Sequence, residues 1–204
     1  TVKVKIEKAN TKVTYTDMDG VSAYRSALRL AEEGVLIGEC VGGTYFFQPD
    51  LPVSRDEFTA LAMHTVGLEA LEDITRTGFA DDASIATWAK PYVSSALKSG
   101  VVQGSVSDQG VVFHPDATIT KAEATVLLNR LLQVTDVTTP TFFTDADAPP
   151  AWAYQAAVNL ETVGVIRAGS LSLNRGLTRA EAAEMLCGAL EVLDARETGG
   201  LFRW

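Results

Sequence analysis

The sequence predicts a mainly α-helical fold built from three helix–loop–helix units. Three observations carry that expectation. An aromatic-x-Asp phrase recurs every 64 residues, as "YTD" at 15–17, "FAD" at 79–81 and "FTD" at 143–145. A helical stretch ending in Gly-Val follows each, in "EEGVLIG" at 32–38, "KSGVVQG" at 98–104 and "TVGVIRAG" at 162–169. A second apolar-periodic stretch then opens on "VSRDE" at 53–57, "ITKAE" at 119–123 and "LTRAE" at 177–181. Order and spacing recur as well as composition, the signature of tandem repeats. The chain divides into units at 15–74, 75–138 and 139–204, with 1–14 a linker or the end of a preceding domain.

Residues 1–8, "TVKVKIEK", alternate as a short strand does. The outer helices are expected over 20–33, 84–99 and 150–163, the Pro pair of "DADAPPAW" marking entry into the third of them. Gly34, Gly100 and Gly164 close them as left-handed C-cap residues. An irregular loop follows, "FQPDLPVSRDE" at 47–57 and "FHPDATITKAE" at 113–123. Phe47 with Pro49, and Phe113 with Pro115, would plug that loop onto the helices and fix its turn. The third unit shortens it to "SLSLNRGLTRAE" at 170–181 and lacks the Phe-x-Pro.

Inner helices close each unit. Their stripes are Phe58, Leu61, Ala62 and Val66; Ala124, Leu127, Leu128, Leu131 and Leu132; and Ala182, Met185, Leu186, Ala189, Leu190 and Leu193. One such stripe cannot bury itself. Three can bury one another around a shared axis, so a pseudo-threefold central bundle with the outer helices outside it is expected.

Composition narrows the function. The chain has 204 residues, 47% of them hydrophobic, and a formal net charge of −9. Nucleic-acid binding needs a basic footprint and is not expected. No apolar run approaches the ~20 residues of a spanning helix, so no membrane insertion is expected. The abrupt strand-like start, without Met or leader, suggests a piece of a longer protein. Cys40 and Cys187 lack metal-type spacing, and with only His64 and His114 beside them neither a zinc site nor another cofactor is expected. Two buried thiols are the favoured reading, a disulfide the alternative. His64 falls on or near the apolar stripe, and neither His has a catalytic partner.

In the three recurring phrases, Ser54, Thr120 and Thr178 with Glu57, Glu123 and Glu181 read as capping boxes. The cation between them needs another reason. Arg55, Lys121 and Arg179 stand in a first helical turn, where positive charge opposes the helix dipole. Free N–H groups at a helix start attract anions, and Arg can grip a carboxylate with two parallel bonds. Either an anionic ligand or an internal ion pair, for instance with the aromatic-x-Asp carboxylate, accounts for the placement. Asp17, Asp81 and Asp145 read alone as caps or near-caps of the outer helices. Trp88 and Trp152, early in those helices, are core residues or sugar platforms.

Together, Phe-x-Asp, Trp-Ala, Gly-Val, Phe-x-Pro and Thr-Arg-Ala-Glu resemble the S-layer homology module, in three copies over nearly the whole chain. The resemblance implies a three-pronged spindle holding a larger bacterial surface protein non-covalently to the cell wall, outside the cell. It implies as ligand an anionic secondary wall polymer attached to peptidoglycan, often with pyruvylated amino sugars, in grooves between repeats. The family's functional positions map onto Asp17, Gly38 and Arg55; onto Asp81, Trp88, Gly104 and Lys121; and onto Asp145, Trp152 and Arg179. Lys121 replaces the usual Arg, Ser22 stands where the first unit's Trp would be, and Ala168 stands at the third unit's Gly position, with Gly169 next. A monomeric, non-enzymatic binding module is the leading expectation. A structural module for self-assembly in a surface layer is the alternative. A wall hydrolase is disfavoured, because helix starts explain the acidic pairs.

Overall fold

The computed structural model describes residues 12–135, 148–167 and 174–198. The chain is mainly α, with six α-helices and two short hairpins among the described residues. The expected strand at 1–8, most of the 1–14 linker, the third aromatic-x-Asp phrase with Asp145, and Ala168 with Gly169 lie outside them.

Each outer helix stops where glycine takes a left-handed backbone. Helix α1 (Tyr24–Glu32), α3 (Lys90–Lys98) and α5 (Tyr154–Thr162) run into Gly34, Gly100 and Gly164, at φ +70°, +72° and +84°. Val35 N, Val101 N and Val165 N then donate back to Leu30 O, Ala96 O and Leu160 O at 2.8–2.9 Å, the Schellman closure. The helices start later than 20, 84 and 150. Turns occupy those stretches, with 3-10 turns at Asp82–Ser84 and Ala151–Ala153. Trp88 and Trp152 therefore stand before their helices rather than in them.

The loops expected to be irregular contain hairpins in the first two units. Strand β1 (Glu39–Val41) pairs antiparallel with β2 (Thr44–Phe46), and β3 (Ser105–Ser107) with β4 (Gly110–Val112). Phe47 and Phe113 follow directly and are fully buried plugs, as expected.

The inner helices are α2 (Arg55–Thr65), α4 (Lys121–Leu132) and α6 (Arg179–Glu197). Their expected stripes are buried or half-buried. The stripes also hold Thr59 and Thr125, whose hydroxyls donate to Arg55 O and Lys121 O at 2.7 Å, one turn back. That internal bond is what lets a hydroxyl sit in the core. His64 points to solvent instead of joining the stripe.

Packing crosses the unit boundaries. Helix α3 lies on α2, α5 on α4, and α1 on α6, while α2 touches both α4 and α6. Each outer helix thus packs on an inner helix other than the one that follows it in the chain. Ser22 Oγ donates to Glu184 Oε1 at 2.8 Å, Arg29 Nη2 to Asp194 Oδ2 at 3.1 Å, and Asn159 Nδ2 to Asn129 Oδ1 at 3.2 Å.

The residues just before the three caps tie the inner helices together. Val53 N donates to Leu177 O at 3.0 Å, Leu177 N to Ile119 O at 2.8 Å, and Ile119 N to Val53 O at 3.0 Å. This ring closes on itself, and its three side chains are buried.

Candidate functional site

The three "hydroxyl-cation-x-Glu" phrases start their helices at the expected residues. Ser54, Thr120 and Thr178 each accept from the N–H three residues on. Glu123 and Glu181 complete the box by accepting from Thr120 N and Thr178 N at 2.8 and 3.2 Å. Glu57 does not. Asp56 Oδ1 instead accepts from Ser54 Oγ at 2.6 Å and from Glu57 N at 2.8 Å, without closing a box.

Five of the expected free N–H groups are occupied. Arg55 N and Asp56 N donate to Ala117 O and Pro115 O, at 2.9 and 3.2 Å. Lys121 N donates to Arg175 O at 3.1 Å, and Arg179 N and Ala180 N donate to Leu51 O and Pro49 O at 2.9 Å. Each inner helix is capped by carbonyls of the loop leading into another inner helix, so recognition of an anion there falls to side chains.

The aromatic-x-Asp carboxylates are clamps, not helix caps. Asp17 accepts Phe47 N and Gln48 N at 2.8 and 2.6 Å, and Asp81 accepts Phe113 N and His114 N at 2.8 and 2.7 Å. Gln48 and His114 hold φ near +57° and +59°, which non-glycine residues adopt reluctantly. Two charge-assisted bonds per carboxylate offset that cost.

A cation at the start of another inner helix lies on each clamped Phe. The Arg55 guanidinium sits 5.2 Å from the centre of the Phe113 ring, and that of Arg179 sits 5.4 Å from Phe47. Tyr15 packs edge-on to Phe47 with centroids 5.2 Å apart, and Phe79 packs on Phe113 at 5.3 Å. Tyr15 Oη donates to Ile37 O, and burial pushes its phenol up to about 12, against the pull of the nearby Arg179 charge. Gly38 and Gly104 sit where these rings meet the hairpins. A Cβ on Gly38 would fall under 3 Å from Phe46 O, and one on Gly104 under 3 Å from Val111 Cγ1, Val112 O and Phe79 Cε1.

The three cations differ in their partners. Arg55 Nη1 meets Glu123 Oε1 at 2.9 Å and Nη2 donates to Gln103 O at 3.1 Å. The internal pair is therefore with the capping-box Glu of the second unit, not with Asp81. Lys121 Nζ lies 3.6 Å from Glu181, and only 7% of Lys121 is exposed. Burial lowers the Lys121 pKa against the opposing pull of Glu181. Burial acts to raise Glu181, but bonds from Arg175 and Thr178 and the Lys121 charge bring it below the ordinary carboxylate value. Arg179 is the exception. Among the described residues no carboxylate comes within ion-pair distance of it, while its Nε, like that of Arg55, is buried without a hydrogen-bond partner.

Trp88 and Trp152 are 54% and 61% exposed, so neither is core. Trp152 shares a cavity of about 650 Å³ with Arg55, Gly104, Phe113, Glu123 and Arg130. Ser22 lines a different cavity with Lys121, Glu181 and Arg25. Cys40 is exposed on β1, contrary to the expectation of a buried thiol, and Cys187 is half-buried with burial raising its pKa. Among the described residues no cluster of His, Cys, Asp and Glu could hold a metal, and no helix is long and apolar enough to cross a membrane.

Comparison with known proteins adds the family. The S-layer homology domain matches residues 14–59 and 78–125. The exoglucanase XynX of Acetivibrio thermocellus is 31% identical over 123 residues, covering 58% of this chain and 11% of that protein. The surface-layer 125 kDa protein of Lysinibacillus sphaericus is 28% identical over 132 residues, 64% of this chain and 11% of that one. A cellulosome-anchoring protein of Acetivibrio thermocellus is 27% identical over 130 residues, 61% of this chain and 27% of that one. The chain spans 11% to 27% of these relatives, so the likeness to the exoglucanase reaches one domain and not the enzyme. Both matched stretches pair a clamped aromatic loop with a helix start capped by a side-chain hydroxyl, and the chain carries S-layer homology domains at residues 14–59 and 78–125.

Proposed function

We propose that this chain anchors a larger protein non-covalently to the bacterial cell wall, at the cell surface. Its ligand is an anionic secondary wall polymer held in grooves between repeats. The observation that carries the reading is Arg179. Among the described residues two of the three recurring cations have a glutamate partner, while Arg179, lying on Phe47, has no carboxylate within ion-pair distance. An uncompensated guanidinium in a half-buried aromatic setting favours an incoming carboxylate over water. A pyruvyl-type acid on an amino sugar fits that requirement. The names of the surface-layer and cellulosome-anchoring relatives agree with anchoring.

The grooves are not equivalent in this reading. Those of Arg55 and Arg179 bind glycan, with Trp88 and Trp152 as exposed platforms for sugar faces. Asp17 and Asp81 act indirectly by holding the loops, and Gly38 and Gly104 by letting ring and hairpin meet. Lys121 is a structural cation in a groove whose Trp position is Ser22.

A third S-layer homology repeat, from 139 onward, completes a pseudo-threefold spindle around α2, α4 and α6. The closed ring of Val53, Ile119 and Leu177 supports that symmetry. The test is sedimentation with purified wall sacculi before and after chemical removal of the secondary polymer. Binding to intact walls and its loss on stripped walls is expected, and undiminished binding to stripped walls would overturn the reading.

A further inference from the structure

In the cavity shared by Arg55 and Trp152, the recurring cation supplies no net charge. Glu123 is 2.9 Å from Arg55 and neutralises it. Glu123 has little left to offer a ligand, because its second oxygen accepts both Thr120 N and Thr120 Oγ1, at 2.8 and 2.9 Å. The positive charge comes from elsewhere. Arg130, near the end of α4, lines the same cavity, is exposed, and has no carboxylate within ion-pair distance among the described residues. Its Nη1 donates to Val101 O at 3.1 Å, which fixes the guanidinium against the wall and leaves its other N–H groups to the cavity or solvent.

Resting on the anchoring reading, we propose that Arg130 is the acid-binding residue of this groove. It contacts an acidic substituent on a part of the glycan distinct from the part at Arg55. Seven residues, two helical turns, separate Glu123 from Arg130 on one face of α4, about 10 Å along the backbone. The two guanidinium groups are held at carbonyls two residues apart, Gln103 O and Val101 O, and of the two only Arg130 lacks a carboxylate partner among the described residues. The ligand places its acid on Arg130 and its hydroxyl or carbonyl oxygens near Arg55. Its sugar face has Trp152 available as the exposed aromatic wall. The equivalent positions nine residues past the other two cations are His64 and Gly188, neither a permanent cation, so this contact belongs to one groove alone.

The test uses the whole chain and wall polymer released from sacculi, together with the same polymer after chemical reduction of its carboxyl groups. Titration calorimetry compares wild type, Arg130→Gln and Arg130→Lys, with urea unfolding of each as a folding check. Arg130→Gln is expected to weaken native-polymer binding at the affected groove about tenfold or more, as loss of a charged hydrogen-bonded contact does. Arg130→Lys should recover part of it, and the difference between wild type and Arg130→Gln should vanish on the reduced polymer. Native-polymer binding by Arg130→Gln equal to wild type overturns this assignment while leaving the anchoring reading in place. An equal loss on reduced polymer also overturns it, since the contact would then not be to an acid. No binding of native polymer by wild type overturns both.

Discussion

Arg55 Nη1 and Glu123 Oε1 lie 2.9 Å apart across 68 residues of sequence, and Glu123 also closes the capping box of α4. One carboxylate thereby starts a helix and ties two repeats together. Glu123→Gln should weaken both functions at a cost of about 1–2 kcal/mol, from a weakened cap and a lost half-buried ion pair. Urea midpoints measure that cost. The same change uncovers the Arg55 charge, so acidic-polymer binding should hold or tighten while stability falls.

Asp81 supports both ends of a turn. Asp81→Ala removes two charge-assisted bonds, to Phe113 N and His114 N, and should cost about 2–4 kcal/mol. Asp81→Asn keeps one acceptor and should cost roughly half as much. Denaturation of the two variants, with Phe113 environment followed by NMR, distinguishes this clamp from a helix cap, whose loss would fray the 82–84 turn instead.

Gly104 and Gly100 separate steric from conformational need. At Gly104 a Cβ meets Val111, Val112 O and Phe79, so Gly104→Ala should cost about 1–3 kcal/mol by overpacking. At Gly100 the space is open but φ is +72°, so Gly100→Ala should cost only about 1 kcal/mol. Thermal unfolding of the pair should show the larger drop at Gly104.

Acid should loosen the second repeat through Asp82. Lys90 Nζ, 2.8 Å away, together with Thr77, lowers its carboxyl from 3.8 to about 2. A lowered folded-state value means the contribution is present above the unfolded value and is lost as pH falls toward 2. The stability gap between wild type and Asp82→Asn should therefore shrink as pH is taken from about 5 down to about 2.

Much of this was legible in the sequence, because repeats reveal themselves by spacing. The glycine stops, capping threonines and inner stripes all depend on short-range periodicity, and all stand where the pattern put them. The misreadings share one cause. Asp17 and Asp81 precede helices, but their partners lie about thirty residues on, in loops whose left-handed turn no local pattern announces. The helix-start N–H groups looked free because the carbonyls that fill them come from another repeat. Glu123 was recognised as a cap, and nothing local marks its second bond to Arg55. Arg130 stands near a helix end, a favourable place for a cation on the dipole, so nothing local marks it as a site residue. His64 missed the stripe by one helical position. The signal that would have found the groove is comparison between repeats: Arg130 against His64 and Gly188, and Trp152 against Ser22.

The central claim is that Arg179, the recurring cation with no carboxylate partner among the described residues, holds an acidic wall polymer. Sedimentation with intact sacculi, comparing wild type, Arg179→Gln and Arg29→Gln, tests it most directly. Arg29→Gln removes the same charge from the α1 surface, where Glu33 and Asp194 already balance it. The account predicts that Arg179→Gln binds walls about tenfold more weakly with nearly unchanged unfolding, while Arg29→Gln binds as wild type does. Wild-type affinity in folded Arg179→Gln, or an equal loss in Arg29→Gln, would contradict it.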